Sequence, residues 1–164
     1  TYGTRLHGDP RGTVDRKHNE FGSPILGYDQ HRWEREKSLL KFPPVVLTRE
    51  EMLIVESIIP WICERGSWKY ITCAAGPDHV HVIVRSPRDP ETIRRLMKRW
   101  LGQELSKRLN KEPNRPQSGT PEPDRPQSGT TWWAECGSIK WIDNERYLKN
   151  ATEYVTRQRA TRPD

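Results

Sequence analysis

The stretch Asp78-His79-Val80-His81-Val82-Ile83-Val84 decides how this chain is read. Successive residues of a strand point to opposite faces of its sheet. His79 and His81 therefore share one face, and Val80, Val82 and Val84 share the other. The valines make an apolar face that helices can cover. The imidazoles are left on the opposite, open face, close enough together to chelate one divalent ion. Two hydrogen-bonded surface histidines would fit the same spacing, so the choice between the readings depends on the rest of the chain.

Working outward, Gly76-Pro77-Asp78 is a turn by composition, and Trp68–Ala74 before it alternates well enough to pair as a strand. Further upstream, Thr48 and Glu51 have the spacing of a capping box. Met52, Val55, Ile59 and Ile62 then recur on one helical face, and Pro60 should kink or end that helix. Downstream, Asp89-Pro90 opens another helix, since proline is tolerated in a first turn. Its buried stripe is expected at Ile93, Leu96, Trp100 and Leu109. Arg94, Arg95, Lys98, Arg99, Lys107 and Arg108 cover much of the remainder, as a solvated face or as phosphate contacts. Two more strands are expected, at Tyr2–Leu6 and within Trp132–Trp141. Asp143 or Asn144 can cap a final helix reaching about Arg159.

The 164 residues suit one domain, 1–164, but only 32% are hydrophobic and the mean hydropathy is -0.96, so the core must be thin. A single antiparallel sheet backed by helices, an α+β fold, matches that supply. Segment 11–47 reads as a long irregular stretch with one helical turn near Trp33–Leu40. Segment 111–131 holds a tandem near-duplicate, Glu112 to Thr120 and then Glu122 to Thr130, whose proline-rich composition predicts a flexible exposed loop.

A net charge of +6 and a pI near 9.4 favour an anionic partner. The 7 tryptophans add possible stacking platforms for unpaired bases, with Trp132 and Trp133 the candidates, although either can equally be core. The 3 cysteines, Cys63, Cys73 and Cys136, are odd in number and form no CxxC pair, so neither a disulfide framework nor a zinc cluster is expected, which fits a reducing cytoplasm. Neither a membrane-length apolar run nor a signal peptide is visible. The chain opens at Thr1 in what reads as a strand, so the native protein is expected to begin earlier.

The last helix offers the histidines a partner. Tyr154 and Gln158 are spaced i, i+4 and share a helix face. If that helix lies across the open sheet face, Gln158 can supply a third metal ligand and Tyr154 sits beside the site. An ordinary amphipathic aromatic and a solvated glutamine would show the same spacing.

His-hydrophobic-His on a strand followed by a helical Tyr-x-x-x-Gln resembles the HUH single-tyrosine transposases, among them the insertion sequence 200-like and REP-associated tyrosine transposases. The opening Tyr2-Gly3-Thr4-Arg5-Leu6-His7-Gly8-Asp9-Pro10-Arg11-Gly12, and Gly137-Ser138 ahead of the last helix, resemble a bacterial subgroup of these proteins. The resemblance spans most of the chain except the repeat loop. It implies a ferredoxin-like or RRM-like antiparallel sheet with helices on one face and the tyrosine helix on the other. It implies that His79, His81 and Gln158 hold Mg²⁺ or Mn²⁺, and that Tyr154 attacks a phosphodiester of single-stranded or hairpin DNA to leave a 5′-phosphotyrosine. Backbone contacts would come from Arg94, Arg95, Lys98 and Arg99. A homodimer that exchanges the tyrosine helix is compatible with the family, and so is a monomer.

Tyr147 is the rival nucleophile, but it has Ala151 rather than a polar ligand at i+4. A zinc deaminase needs His-x-Glu and Pro-Cys-x-x-Cys, and both are missing. A replication initiator or relaxase with the same chemistry would usually carry further helicase regions. A domesticated descendant that binds hairpin DNA without cutting it is the non-enzymatic alternative. No GxxxxGK[ST] phosphate loop is present, as expected if rejoining draws on the energy of the covalent intermediate.

Overall fold

A computed structural model describes residues 1–12, 26–109, 132–135 and 137–160. The described chain is α+β, with four helices and one two-stranded antiparallel sheet: α1 Gln30–Ser38, α2 Arg49–Arg65, β1 Lys69–Ala75, β2 Val80–Arg85, α3 Pro90–Leu109 and α4 Glu145–Ala160. The repeat between 112 and 130 lies outside the described residues. None of the described helices is long and apolar enough to cross a membrane.

The capping box is present. Thr48 Oγ1 accepts from Glu51 N at 3.2 Å, and Glu51 Oε2 accepts from Thr48 N at 2.9 Å. Thr48→Ala is expected to lower stability by about 1 kcal/mol in urea titration. The helix it starts does not end at Pro60 but runs on to Arg65. A proline leaves the carbonyl four residues earlier without its helical donor. Here that carbonyl belongs to Glu56, and the Cys73 thiol of β1 faces it at 3.9 Å. The Glu56 side chain also accepts from Ala75 N at 2.8 Å, so both the backbone and the side chain of Glu56 tie α2 to β1.

β1 and β2 pair with Cys73 opposite Val82, Ala74 opposite His81 and Ala75 opposite Val80, and the register shifts between Tyr70 and Thr72. Cross-strand neighbours share a face, so the sheet has two distinct sides. One side packs Cys73, Ala75, Val80, Val82 and Val84 against α2 and α3 in the main core. The other side packs Ala74 and Ile83 against Val155 of α4, with Ile71, Ile142, Leu148 and Ala151 around them. The sheet is thus a hairpin between α2 and α3 on one face and α4 on the other. Asn144 caps α4, its Oδ1 accepting from Tyr147 N at 2.7 Å.

Neither of the two further expected strands is present among the described residues. Tyr2–Leu6 forms turns instead of a strand. Gly3 has φ 67, outside the extended region, and Tyr2 makes only single crossing bonds, donating to Trp132 O and accepting from Val45 N. The described residues of Trp132–Trp141 also form no strand. Three of their carbonyls go to side chains: Lys98 Nζ reaches Ala134 O at 2.7 Å and Glu135 O at 3.3 Å, and Arg94 reaches Gly137 O. In α3 the fully buried side chains are Met97, Leu101 and Leu105, a four-residue repeat that Ile93, Leu96, Trp100 and Leu109 flank. The four expected residues are partly buried against the same core, Trp100 by stacking on the buried Trp68 with ring centroids 5.7 Å apart.

Within 11–47 the single expected turn of helix is a nine-residue helix, α1, capped by Asp29. Asp9 is buried against Arg11, which donates to both of its carboxylate oxygens, at 2.9 and 2.7 Å, and holds its pKa down to about 2. A carboxylate with a depressed folded-state pKa stabilises the fold above its unfolded value, and the gain is lost as pH falls through the folded value. The stability of the wild-type protein is therefore expected to drop between pH about 4 and pH about 2. Asp9→Asn should flatten that part of a urea-stability profile against pH.

Candidate functional site

β2 and α4 together build the site. His79 immediately precedes β2 and His81 lies within it, and their rings stand 4.8 Å apart, nearly edge to face at 72°. Gly76 turns the chain into this strand, and a Cβ placed there would come within 3.0 Å of His79 Cε1. The absence of a side chain at 76 is thus what lets the imidazole lie over the turn. Across the strand pair, His81 faces Ala74, whose small side chain leaves room for α4.

Helix α4 lies over this face through Val155, and Tyr154 and Gln158 flank that contact. The Tyr154 ring meets the His81 ring edge to face, with centroids 5.5 Å apart. Gln158 joins the phenol to the other histidine: its Nε2 donates to Tyr154 Oη at 3.0 Å, and its Oε1 lies 3.0 Å from His79 Nε2. The structure therefore brings His79, His81, Tyr154 and Gln158 of one chain together. Tyr154 is 48% exposed, so a substrate can reach its hydroxyl. At the far end of α4, Arg159 donates to Cys73 O at 2.5 Å and pairs with Glu56 at 3.5 Å, fixing the helix against β1.

Asp78, quoted in the sequence motif but given no role there, contacts His79 Nδ1 through Oδ1 at 2.5 Å. Its other oxygen accepts from Arg5 Nε at 2.9 Å and Arg11 Nη1 at 2.8 Å. Burial raises the pKa of Asp78, but the His79 hydrogen bond and Arg5 outweigh it and hold the group at about 2. Burial, with a smaller contribution from the neighbouring His79, pushes the His81 pKa below the usual histidine value. At neutral pH His81 is accordingly a neutral imidazole with a lone pair to offer.

The residues gathered here offer imidazole nitrogens and an amide oxygen, ligand types that could together hold a divalent ion. Gln158 Oε1 accepts from His79 Nε2 at 3.0 Å when that nitrogen carries a proton; with the only ring proton on Nδ1, facing Asp78, Nε2 would present a lone pair beside that oxygen instead. Two acceptors at that distance are adjacent in the way two cis ligands of an octahedral ion are, for bonds of about 2.0–2.1 Å. Among the described residues no three His, Cys, Asp or Glu side chains gather at such a point.

Beside the histidines a cleft of about 470 Å³ follows β2, lined by Val80, Val82, Ile93, Met97, Trp133 and Trp141, among others. Arg94 and Lys98 also line it, holding the carbonyls of 134–137. Arg95 and Arg99 are exposed elsewhere on α3. Trp132, offered by sequence as a stacking platform, is 2% exposed and donates to Ser106 Oγ at 3.0 Å, so it is a core side chain. Trp133 is half-buried. Trp141, which sequence reasoning passed over, is 74% exposed and is the better placed indole. Only burial separates it from the other tryptophans. No protein-family model, curated protein or solved structure matches the chain.

Proposed function

We propose that the protein is a metal-dependent single-strand DNA transposase that cleaves and rejoins DNA at hairpins through a 5′-phosphotyrosine. The observation that supports this reading is the exposed Tyr154 hydroxyl beside His79, His81 and Gln158. His79, His81 and Gln158 would hold Mg²⁺ or Mn²⁺. The ion, when bound, supplies Lewis-acid stabilisation of charge on the scissile phosphate. Tyr154 Oη attacks phosphorus as its proton leaves, the bond from phosphorus to the 3′-oxygen breaks, and that oxygen takes a proton to become a 3′-hydroxyl. The donor hydrogen bond from Gln158 Nε2 favours the phenolate character that Oη develops. Rejoining reverses these steps, with a 3′-hydroxyl attacking the phosphotyrosine and releasing Tyr154.

Within this proposal the hairpin of β1 and β2 belongs to a wider ferredoxin-like or RRM-like sheet, as in the transposases the sequence resembles. Arg95 and Arg99 would meet DNA phosphates, while Arg94 and Lys98 shape the cleft wall. The Arg95→Ala, Arg99→Ala double variant is expected to reduce the slope of log affinity against log salt by about 1.4 on single-stranded DNA, measured by fluorescence anisotropy. An unchanged slope would place the phosphate contacts elsewhere.

The test is a denaturing gel of the protein incubated with a hairpin-bearing single-stranded oligonucleotide and Mn²⁺. A band of covalent adduct is expected. Tight hairpin binding without any adduct under Mg²⁺ or Mn²⁺ would instead identify a non-catalytic binding protein. Mixing Tyr154→Phe chains with His81→Ala chains asks whether α4 is exchanged between copies in a homodimer. Adduct restored in the mixture means exchange, and no adduct means that each chain completes its own site.

A further inference from the structure

We infer that Asp78 is a positioning residue, which keeps the His79 proton on Nδ1 and turns Nε2 toward Gln158, and that the N-terminal segment holds its carboxylate in place for this purpose. The inference rests on the metal site proposed above for its purpose but not for its geometry. The two oxygens of Asp78 divide their work. Oδ1 takes His79 Nδ1 at 2.5 Å, while Oδ2 takes Arg5 and Arg11 at 2.9 and 2.8 Å. A carboxylate with one oxygen fixed by two guanidinium groups cannot rotate freely about its last bond, so Oδ1 stays aimed at the ring. Arg11 is itself held, by the buried Asp9 carboxylate on one side and by the Thr4 carbonyl on the other. Residues 4–11 therefore reach the site through one chain of contacts, from Asp9 through Arg11 and Asp78 to His79.

The chemistry explains why such an anchor is useful. A neutral imidazole carries one proton, and the nitrogen that bears it cannot bind a cation. In solution the two tautomers interconvert. An acceptor fixed at Nδ1 selects the one with a bare Nε2, and a carboxylate there also raises the basicity of that lone pair. Among the described residues no carboxylate of this kind meets His81, so the two histidines are not equivalent: His79 is oriented by an ion-paired acid, whereas His81 packs against Tyr154 and lies opposite Ala74.

The test combines a direct observation with a binding measurement. Long-range ¹⁵N–¹H NMR of the ring nitrogens in the wild-type protein should show His79 with its proton on Nδ1, and needs no variant. In Asp78→Asn this preference should be lost, and Mn²⁺ affinity by titration calorimetry should fall about 10- to 100-fold, with circular dichroism and hairpin-DNA affinity unchanged. Arg11→Gln, which keeps the carboxylate but loosens it, should fall between the two. A wild-type His79 protonated on Nε2, or an Asp78→Asn protein that keeps both the Nδ1–H tautomer and its Mn²⁺ affinity, overturns the inference. If the wild-type tautomer is as stated and is lost in Asp78→Asn, while neither protein binds Mn²⁺, the positioning role stands and the metal site of the proposed function falls.

Discussion

Tyr154→Phe is expected to abolish the covalent protein–DNA adduct and to lower strand cleavage on the order of 10³-fold or more. The substitution removes one oxygen. The ring that meets His81 remains, and α4 stays docked, because its anchor is Val155 against Ala74 and Ile83. The lost hydrogen bond is the one Gln158 donates to an exposed hydroxyl, so the fold should be nearly as stable as before. Loss of the adduct with hairpin affinity intact therefore reports on the nucleophile and not on folding. Tyr147 provides the contrast. It lies seven residues earlier on the same helix, about 10 Å along the axis, near the Asn144 cap. Tyr147→Phe should leave adduct yield within about 2-fold of wild type, well inside the span that loss of a nucleophile would produce. An adduct that persists in Tyr154→Phe and disappears in Tyr147→Phe would exchange their roles and remove the basis of the proposed mechanism.

Trp132→Ala is expected to cost about 3–5 kcal/mol of stability, the range for truncating a large buried aromatic. The indole is 2% exposed, its Nε1 donates to Ser106 of α3, and its backbone carbonyl accepts from Tyr2 N. Its removal opens a cavity in the main core and leaves the Ser106 hydroxyl without its partner. It also loosens the point where the N-terminal segment and the 132–135 segment meet. Small domains have about 5–15 kcal/mol in total, so this one change is enough to unfold part of the population near physiological temperature. Urea titration reads the loss directly. Trp141→Ala, by contrast, removes a side chain that is 74% exposed and should change stability by less than about 0.5 kcal/mol. A Trp132→Ala protein as stable as wild type but weakened toward single-stranded DNA would return Trp132 to the role of stacking platform.

The two variants show where local sequence stops being informative. Nothing in Thr131-Trp132-Trp133-Ala134 says which indole is inside, because adjacent residues of an irregular segment follow no period. The same limit applies at Pro60. Its effect on a helix is a local rule, but whether the helix survives depends on Cys73 of β1 facing the freed Glu56 carbonyl. In α3 the apolar residues outnumber one face, and only the packing against α2 selects Met97, Leu101 and Leu105 as its centre. Asp78 stood inside the decisive motif, yet its partners Arg5 and Arg11 are over sixty residues away in the chain.

The periodic and capping signals of the sequence were sufficient for the strand pair, the capping box at Thr48, the helix after Asp89, the Asn144-capped last helix, and the division of β2 into a valine face and a histidine face. All of these depend on neighbours within a few residues, so the local pattern carries them. The meeting of Tyr154 and Gln158 with His79 and His81 was only conditional in sequence. It required α4 to lie on the side of the sheet away from α2 and α3. That choice was made by Ile83, Ala74 and Val155, a small second core whose members lie up to 81 residues apart. Contacts between residues so distant in the chain exist only once the chain has folded, and the site exists only through them.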